Sequence, residues 1–231
     1  MGLCNPPVRG VSSLSDAPTA SLTPTETAGR SARKPKGEGH VRRAEILAAA
    51  ERIFVEHGYE GATIRKIADE VGLSSTALYM HFSEKGEILH EICRGAFEQL
   101  ICENRAITAV DEPAETKLRH MLEAYVRFGF TNPNAYRLVY LTRPVEARHG
   151  AQTAAQQMGA ELFRTFEDLL AQLIAADRLR VDNAKLAGQV FWAGAHGIVS
   201  LVITKPYFSW VERDLLTKTM IDALITGLIK A

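Results

Sequence analysis

The sequence predicts an all-α fold: an N-terminal three-helix helix-turn-helix unit followed by a larger C-terminal helical region, about nine helices in all. Three observations predict it. From residue 40 onward, apolar residues recur at the 3.6-residue spacing of amphipathic helices. Glycine, proline and capping residues stand where those stripes stop and start. No segment alternates apolar and polar residues as a half-buried strand would.

The elements follow in order. Residues 1–39 are rich in Ser, Thr, Pro, Ala and Gly without apolar periodicity, and are predicted to be a disordered arm. His40 to His57 carries Ile46, Leu47, Ala50, Ile53 and Phe54 on one stripe, and Gly58 stops it. Thr63 caps a short helix holding Ile64, Ile67, Ala68 and Val71. Gly72 breaks the chain, and Ser74 caps a third short helix, Ser75 to Phe82. Ser83 is placed to cap a long fourth helix that includes Ile88, Leu89, Ile92, Ala96, Phe97, Leu100 and Ile101. Pro113 opens a fifth helix, ended near Thr131 by Asn132-Pro133. A short helix spans Asn134 to Thr142, and another runs from about Ala151 to Ala176. Asp182 is the predicted cap of the next, which ends before Pro206. Ser209 and Glu212 form an S-x-x-E capping box for the last.

Composition narrows the function classes. The chain has 231 residues, 46% of them apolar, ample for a buried core. Lys plus Arg and Asp plus Glu each number 27, so bulk charge does not define a polyanion binder. Locally the balance differs: residues 30–43 hold six basic residues, Arg30, Arg33, Lys34, Lys36, Arg42 and Arg43, against one acid, Glu38. This stretch reads either as a solvated tail or as an arm that follows DNA phosphates. Three cysteines, Cys4, Cys93 and Cys102, lack metal-ligand spacing, and their odd number argues against a disulfide framework. Cys93 and Cys102 read as small core residues, and a reducing cytoplasm is the expected compartment. No apolar run is long enough for a membrane span, and residues 1–10 lack the apolar core of a signal peptide. Nucleophile elbow, G-x-G-x-x-G, H-E-x-x-H and paired-carboxylate signatures are missing, so neither enzyme activity nor a cofactor or metal is predicted.

The informative window is Thr63 to Leu89, TIRKIADEVGLSSTALYMHFSEKGEIL. Two short helices joined by Gly72-Leu73-Ser74 have the dimensions of a helix-turn-helix. Leu78 and Phe82, spaced i and i+4, anchor the second helix and leave Ser75, Thr76 and Tyr79 free to enter a major groove.

This window resembles the DNA-binding domain of the TetR/AcrR family. The resemblance is carried by Gly58-Tyr59, Thr63, Ile67-Ala68, Gly72-Leu73-Ser74, Leu78-Tyr79-Met80-His81-Phe82 and Lys85, in that order, over residues 40 to 89. It implies a DNA-binding domain at 40–86 and a ligand-binding and dimerisation domain at 87–231. It further implies phosphate contacts from Thr63, Arg65 and Lys85; Arg42 and Arg43 are candidate DNA contacts as the end of the basic stretch. Ser74, Ser75, Thr76 and Ala77 stand where the recognition helix meets bases and backbone, and Tyr79 and His81 where phosphate or base edges are touched. Packing against the first helix is the alternative for Tyr79 and His81. Thr76-Ala77 departs from the Gly-Thr or Gly-Ala of many members.

The C-terminal segment Trp192 to Leu201 resembles a W-x-x-x-H-G signature of one TetR subgroup. Phe97, Tyr125, Phe128, Tyr136, Tyr140, Phe163, Phe166 and Trp192 lie on helical faces. Each reads first as packed core; the family resemblance implies that some line a cavity for an apolar or aromatic effector. His196, one turn from Trp192, is either a ligand donor or an interior histidine. Gly188, Gly194 and Gly197 suggest close helix approach, since each costs a helix about 1 kcal/mol relative to Ala. The resemblance implies that the last two helices of two protomers form a four-helix bundle, with Gly194, Gly197, Leu201, Leu216, Met220 and Leu224 at the seam. Burial within one protomer is the alternative. The expected partners are operator DNA, a small-molecule effector and a second copy of the chain, with no membrane. The expected activity is that of a transcriptional regulator, a repressor released by its effector through movement of the fourth helix; the alternatives are an activator of the same fold and a helical small-molecule-binding protein without operator binding.

Overall fold

A computed structural model describes residues 39–141 and 151–230, except for the side chains of residues 151–156. The basic arm from Arg30 to Lys36 and the predicted ending at Thr142 and Pro144 lie outside the described residues. Among the described residues there are nine α-helices and no named strand: α1 (Gly39–Gly61), α2 (Ile64–Glu70), α3 (Ser75–Tyr79), α4 (Lys85–Ala109), α5 (Ala114–Thr131), α6 (Pro133–Tyr136), α7 (Ala151–Ala175), α8 (Ala184–Thr204) and α9 (Arg213–Leu228). A π-helical turn, Arg137–Leu141, continues α6.

The local chemistry explains the boundaries. Gly58 interrupts α1 with φ +69°, the left-handed region that glycine enters freely. The Thr63 hydroxyl accepts from Lys66 N, and the Ser74 hydroxyl from Ala77 N, capping α2 and α3 as predicted. Three predicted caps are displaced. Asn183, rather than Asp182, caps α8 by accepting from Leu186 N. Glu212 itself caps α9, accepting from Asp214 N and Leu215 N, so the Ser209 box is not used. Ser83 donates to Glu87 through both N–H and Oγ, at 2.7 and 2.8 Å, one residue before the α4 boundary at Glu84. The third helix also ends sooner, at Tyr79 rather than Phe82.

Two apolar cores form. The first joins α1, α2, α3 and the start of α4 through Ile46, Phe54, Ile67, Ala68, Leu78, Phe82 and Ile88. The second unites the rest of α4 with α5, α7, α8 and α9. Helix α4 serves both: Ile88 to Cys93 belong to the first core, Ala96 and Leu100 to the second. The π turn also reaches both, because Leu138 packs into the first core and Tyr140 against the second.

Two sequence expectations are corrected. Cys93 is a buried free thiol, raised to about 11 by burial, as a core cysteine should be. Cys102 is instead disulfide-bonded; an odd cysteine count prevents complete pairing but not one bridge. Helix α8, Ala184–Thr204, is long and apolar enough by length and composition to cross a bilayer. That composition also suits its place here, where it packs against α5, α7 and α9.

Candidate functional site

The first candidate site is the outer side of α3. Leu78 and Phe82 are 0% and 1% exposed and fix this helix on the first core. Gly72, at φ +65°, makes the turn that brings it across α2. With that side anchored, Ser74, Thr76 and Tyr79 are exposed, and Ser75 and Ala77 are half-buried beside them. Tyr79 is 53% exposed, so packing against α1 does not account for it; His81 is half-buried. Thr63 and Arg65 are exposed at the start of α2, Arg65 only loosely beside Asp69 at 3.8 Å. Arg42 pairs with Glu45 on the α1 surface.

Two cations from the predicted set turn inward. Arg43 lies 3.9 Å above the Phe82 ring, donates to the His81 carbonyl and pairs with Glu87 and Glu91. The hydrogen bond from Arg43 holds the Glu91 carboxyl below its usual range, and that of Glu87 is lowered chiefly by the Ser83 backbone N–H. Lys85 donates to the carbonyls of Tyr59 and Ala62 and sits 4.1 Å above the Tyr59 ring. Its ammonium thus satisfies carbonyls at the α1 end, where a cation is favoured. Both residues support the face built by α3 instead of forming it. In this structure, then, the two residues expected to contact DNA are engaged within the chain.

The second candidate site is a cavity of about 250 Å³ in the C-terminal core. Of the predicted aromatic set, Phe97, Tyr125, Tyr140, Phe163, Phe166 and Trp192 line it. Phe128, Tyr136 and His196 do not. Phe128 is packed in the core, and the other two stand behind the wall as a polar backing. The Tyr136 hydroxyl is 2.6 Å from His196 Nδ1, the Tyr125 hydroxyl is 3.1 Å from that of Tyr136, and Trp192 Nε1 donates to Tyr125 at 3.1 Å. Burial pushes the Tyr125, Tyr136 and Tyr140 phenols well above their ordinary value and holds His196 below the usual imidazole value. All four are therefore neutral near pH 7. Sequence reasoning missed Leu100, Asn104, Met121, Leu122, Gly159, Leu162 and Ala195. Asn104 had a usable signal: it continues the α4 stripe of Phe97 and Leu100 as a polar residue on an apolar face.

The predicted seam divides. A Cβ on Gly194 would come within 2.6 Å of Leu224 Cδ1 and 3.3 Å of Met220 Sδ, so these three residues meet inside one protomer, between α8 and α9. Gly188 faces Phe163 of α7. Only Gly197 of the three glycines has open space before it, and Leu201 on the same helix is 49% exposed. Leu216 is half-buried.

Comparison with known proteins agrees with this layout. The family description "Bacterial regulatory proteins, tetR family" matches residues 46–92, and "Tetracyclin repressor-like, C-terminal domain" matches 118–226. The HTH-type transcriptional activator FasR of Mycolicibacterium smegmatis is 33% identical over 190 residues, which is 80% of this chain and 78% of that protein. The HTH-type transcriptional repressor AcnR of Corynebacterium diphtheriae is 36% identical over 83 residues, 35% of this chain; the match spans only 44% of AcnR. The solved structure of the ketosteroid regulator KstR2 of Mycobacterium tuberculosis superposes with a TM-score of 0.69 at 22% identity, covering 82% of this chain and 96% of that one. A capped helix-turn-helix with one side open, carried on a helical body, defines a transcriptional regulator. The chain belongs to the TetR family.

Proposed function

We propose that the chain acts as a homodimeric repressor that leaves its operator when an apolar or aromatic molecule enters the C-terminal cavity. The observation that carries this reading is the exposure of Thr76 and Tyr79 on a helix whose opposite side is locked by Leu78 and Phe82. Residues 40–86 are assigned to DNA and 87–231 to sensing and dimerisation, with α4 crossing the boundary. Thr63, Arg65, Ser74, Ser75, Thr76, Ala77, Tyr79 and His81 form the contact set, with Arg42 at its edge. The apolar strip of Leu186, Val190, Gly197 and Leu201 on α8 is assigned to the partner protomer. A chromosomal operator places the protein in the cytoplasm, and no enzymatic role is proposed.

Selection of bound duplexes from random DNA, followed by anisotropy titration at several salt concentrations, tests the reading. A preferred palindromic site with a steep salt slope supports it; no sequence preference even at low salt overturns it. An activator role is the second reading, favoured by the match to FasR across 80% of the chain. A promoter fusion distinguishes the two, since deleting the regulator raises transcription under a repressor and lowers it under an activator.

A further inference from the structure

The cavity wall carries one polar group with nothing to bond. Asn104 is 7% exposed and is the buried polar residue of the described core. It lines the cavity, and its carboxamide has no hydrogen-bond partner among the described residues. The other polar atoms differ, the Tyr140 hydroxyl being turned to the side chain of Tyr125. The Trp192 indole N–H is bonded to Tyr125, and the Tyr125 hydroxyl is within bonding distance of Tyr136 and His196. No described lining side chain is Asp, Glu, Lys, Arg or His.

We propose that the buried part of the effector is uncharged, mostly apolar, and carries one hydroxyl or carbonyl group that hydrogen-bonds to the Asn104 carboxamide. This rests on the cavity being the effector site, as argued above, and names the chemical class it takes. An unbonded amide on an apolar wall costs free energy that a ligand oxygen recovers. A carboxylate or ammonium in the same place meets no counter-charge among the described lining residues and is disfavoured by desolvation. The aromatic side chains at the other walls suit a ring system stacked or edge-on against them.

Position gives the contact a regulatory consequence. Asn104 stands on α4, the helix that also places Ile88 in the first core, 16 residues and about 24 Å away along the axis. A ligand held by Asn104 is thereby tied to the one long helix that enters both cores.

The test uses three probes of nearly equal size: 2-naphthol, naphthalene and 2-naphthoate. Binding to the full-length protein at pH 7.5 is followed by calorimetry and by tryptophan fluorescence. The expected order is naphthol first, by about tenfold over naphthalene, with naphthoate weakest. In Asn104→Leu, naphthol falls to the level of naphthalene, while naphthalene binding persists and certifies the fold. In Asn104→Gln, part of the naphthol preference returns. A preference for naphthoate in the wild type, or an undiminished naphthol preference in Asn104→Leu, overturns the assignment while leaving the cavity as the effector site. Failure of all three probes to bind up to their solubility limits overturns the cavity reading as well.

Discussion

The Tyr136 hydroxyl lies 2.6 Å from Nδ1 of His196, joining the segment before the π turn to the middle of α8. The neutral imidazole that accepts there carries its proton on Nε2. Removing the phenol oxygen leaves a desolvated ring nitrogen with only the longer approach of Tyr125, at 3.3 Å. Tyr136→Phe is expected to lower the free energy of unfolding by about 1–3 kcal/mol, read by urea denaturation.

The same pair sets a pH dependence. Burial lowers the His196 value in the folded state relative to the unfolded chain. The unfolded state then binds the extra proton, so stability is full above the unfolded imidazole range near 6.5 and is lost as pH falls through the folded value. Thermal melts at pH 7.5 and pH 5 should show a larger fall for wild type than for His196→Gln. Equal falls in the two proteins would remove His196 as the source.

Arg42 and Arg43 are neighbours with different work. Arg43 covers Phe82 and pairs with Glu87 and Glu91, so Arg43→Ala should lose about 1–2 kcal/mol of stability. Arg42 holds only Glu45, at the surface, and Arg42→Ala should stay within about 0.5 kcal/mol. Parallel denaturation curves check both.

On the open side of α2 and α3 the prediction reverses, with affinity changing and stability unchanged. Arg65→Ala should weaken all duplexes alike and reduce the salt slope by about one phosphate per protomer. Tyr79→Ala should cost affinity with an unchanged melting temperature, because its ring is 53% exposed. A melt shifted by many degrees would mean that Tyr79 holds the fold.

Leu201→Lys places a charge on the open strip of α8. Sedimentation should report a monomer that retains its helical circular dichroism signal. A dimer of unchanged stability would put the seam elsewhere.

Much of this architecture was legible because its punctuation is local. Gly72 must take a positive φ, and Thr63 and Ser74 need only backbone groups three residues away. The missed caps share one cause. Asp182 and Asn183 are both good caps, and which is used depends on how α8 settles against its neighbours. The cavity was half-legible. Bulky aromatics declare themselves, but Ala195 and Gly159 line it by being small, which a pattern of apolar residues does not mark. The intramolecular partners of Arg43 and Lys85 were not legible, for an electrostatic reason. Their direction is set by Glu87, Glu91 and the carbonyls closing α1, partners up to 48 residues distant in sequence.

The wider turn at Arg137–Leu141 amounts to one extra residue inserted into a helix. It lets Leu138 plug the first core while Tyr136 and Tyr140 stay with the aromatic group beside His196. A helix of ordinary pitch advances about 100° per residue, so taking that residue out would rotate one of these anchors away from its seat. The chain therefore tolerates substitution in this turn better than any change in its length, and a single-codon deletion here would unseat an anchor in one core or the other.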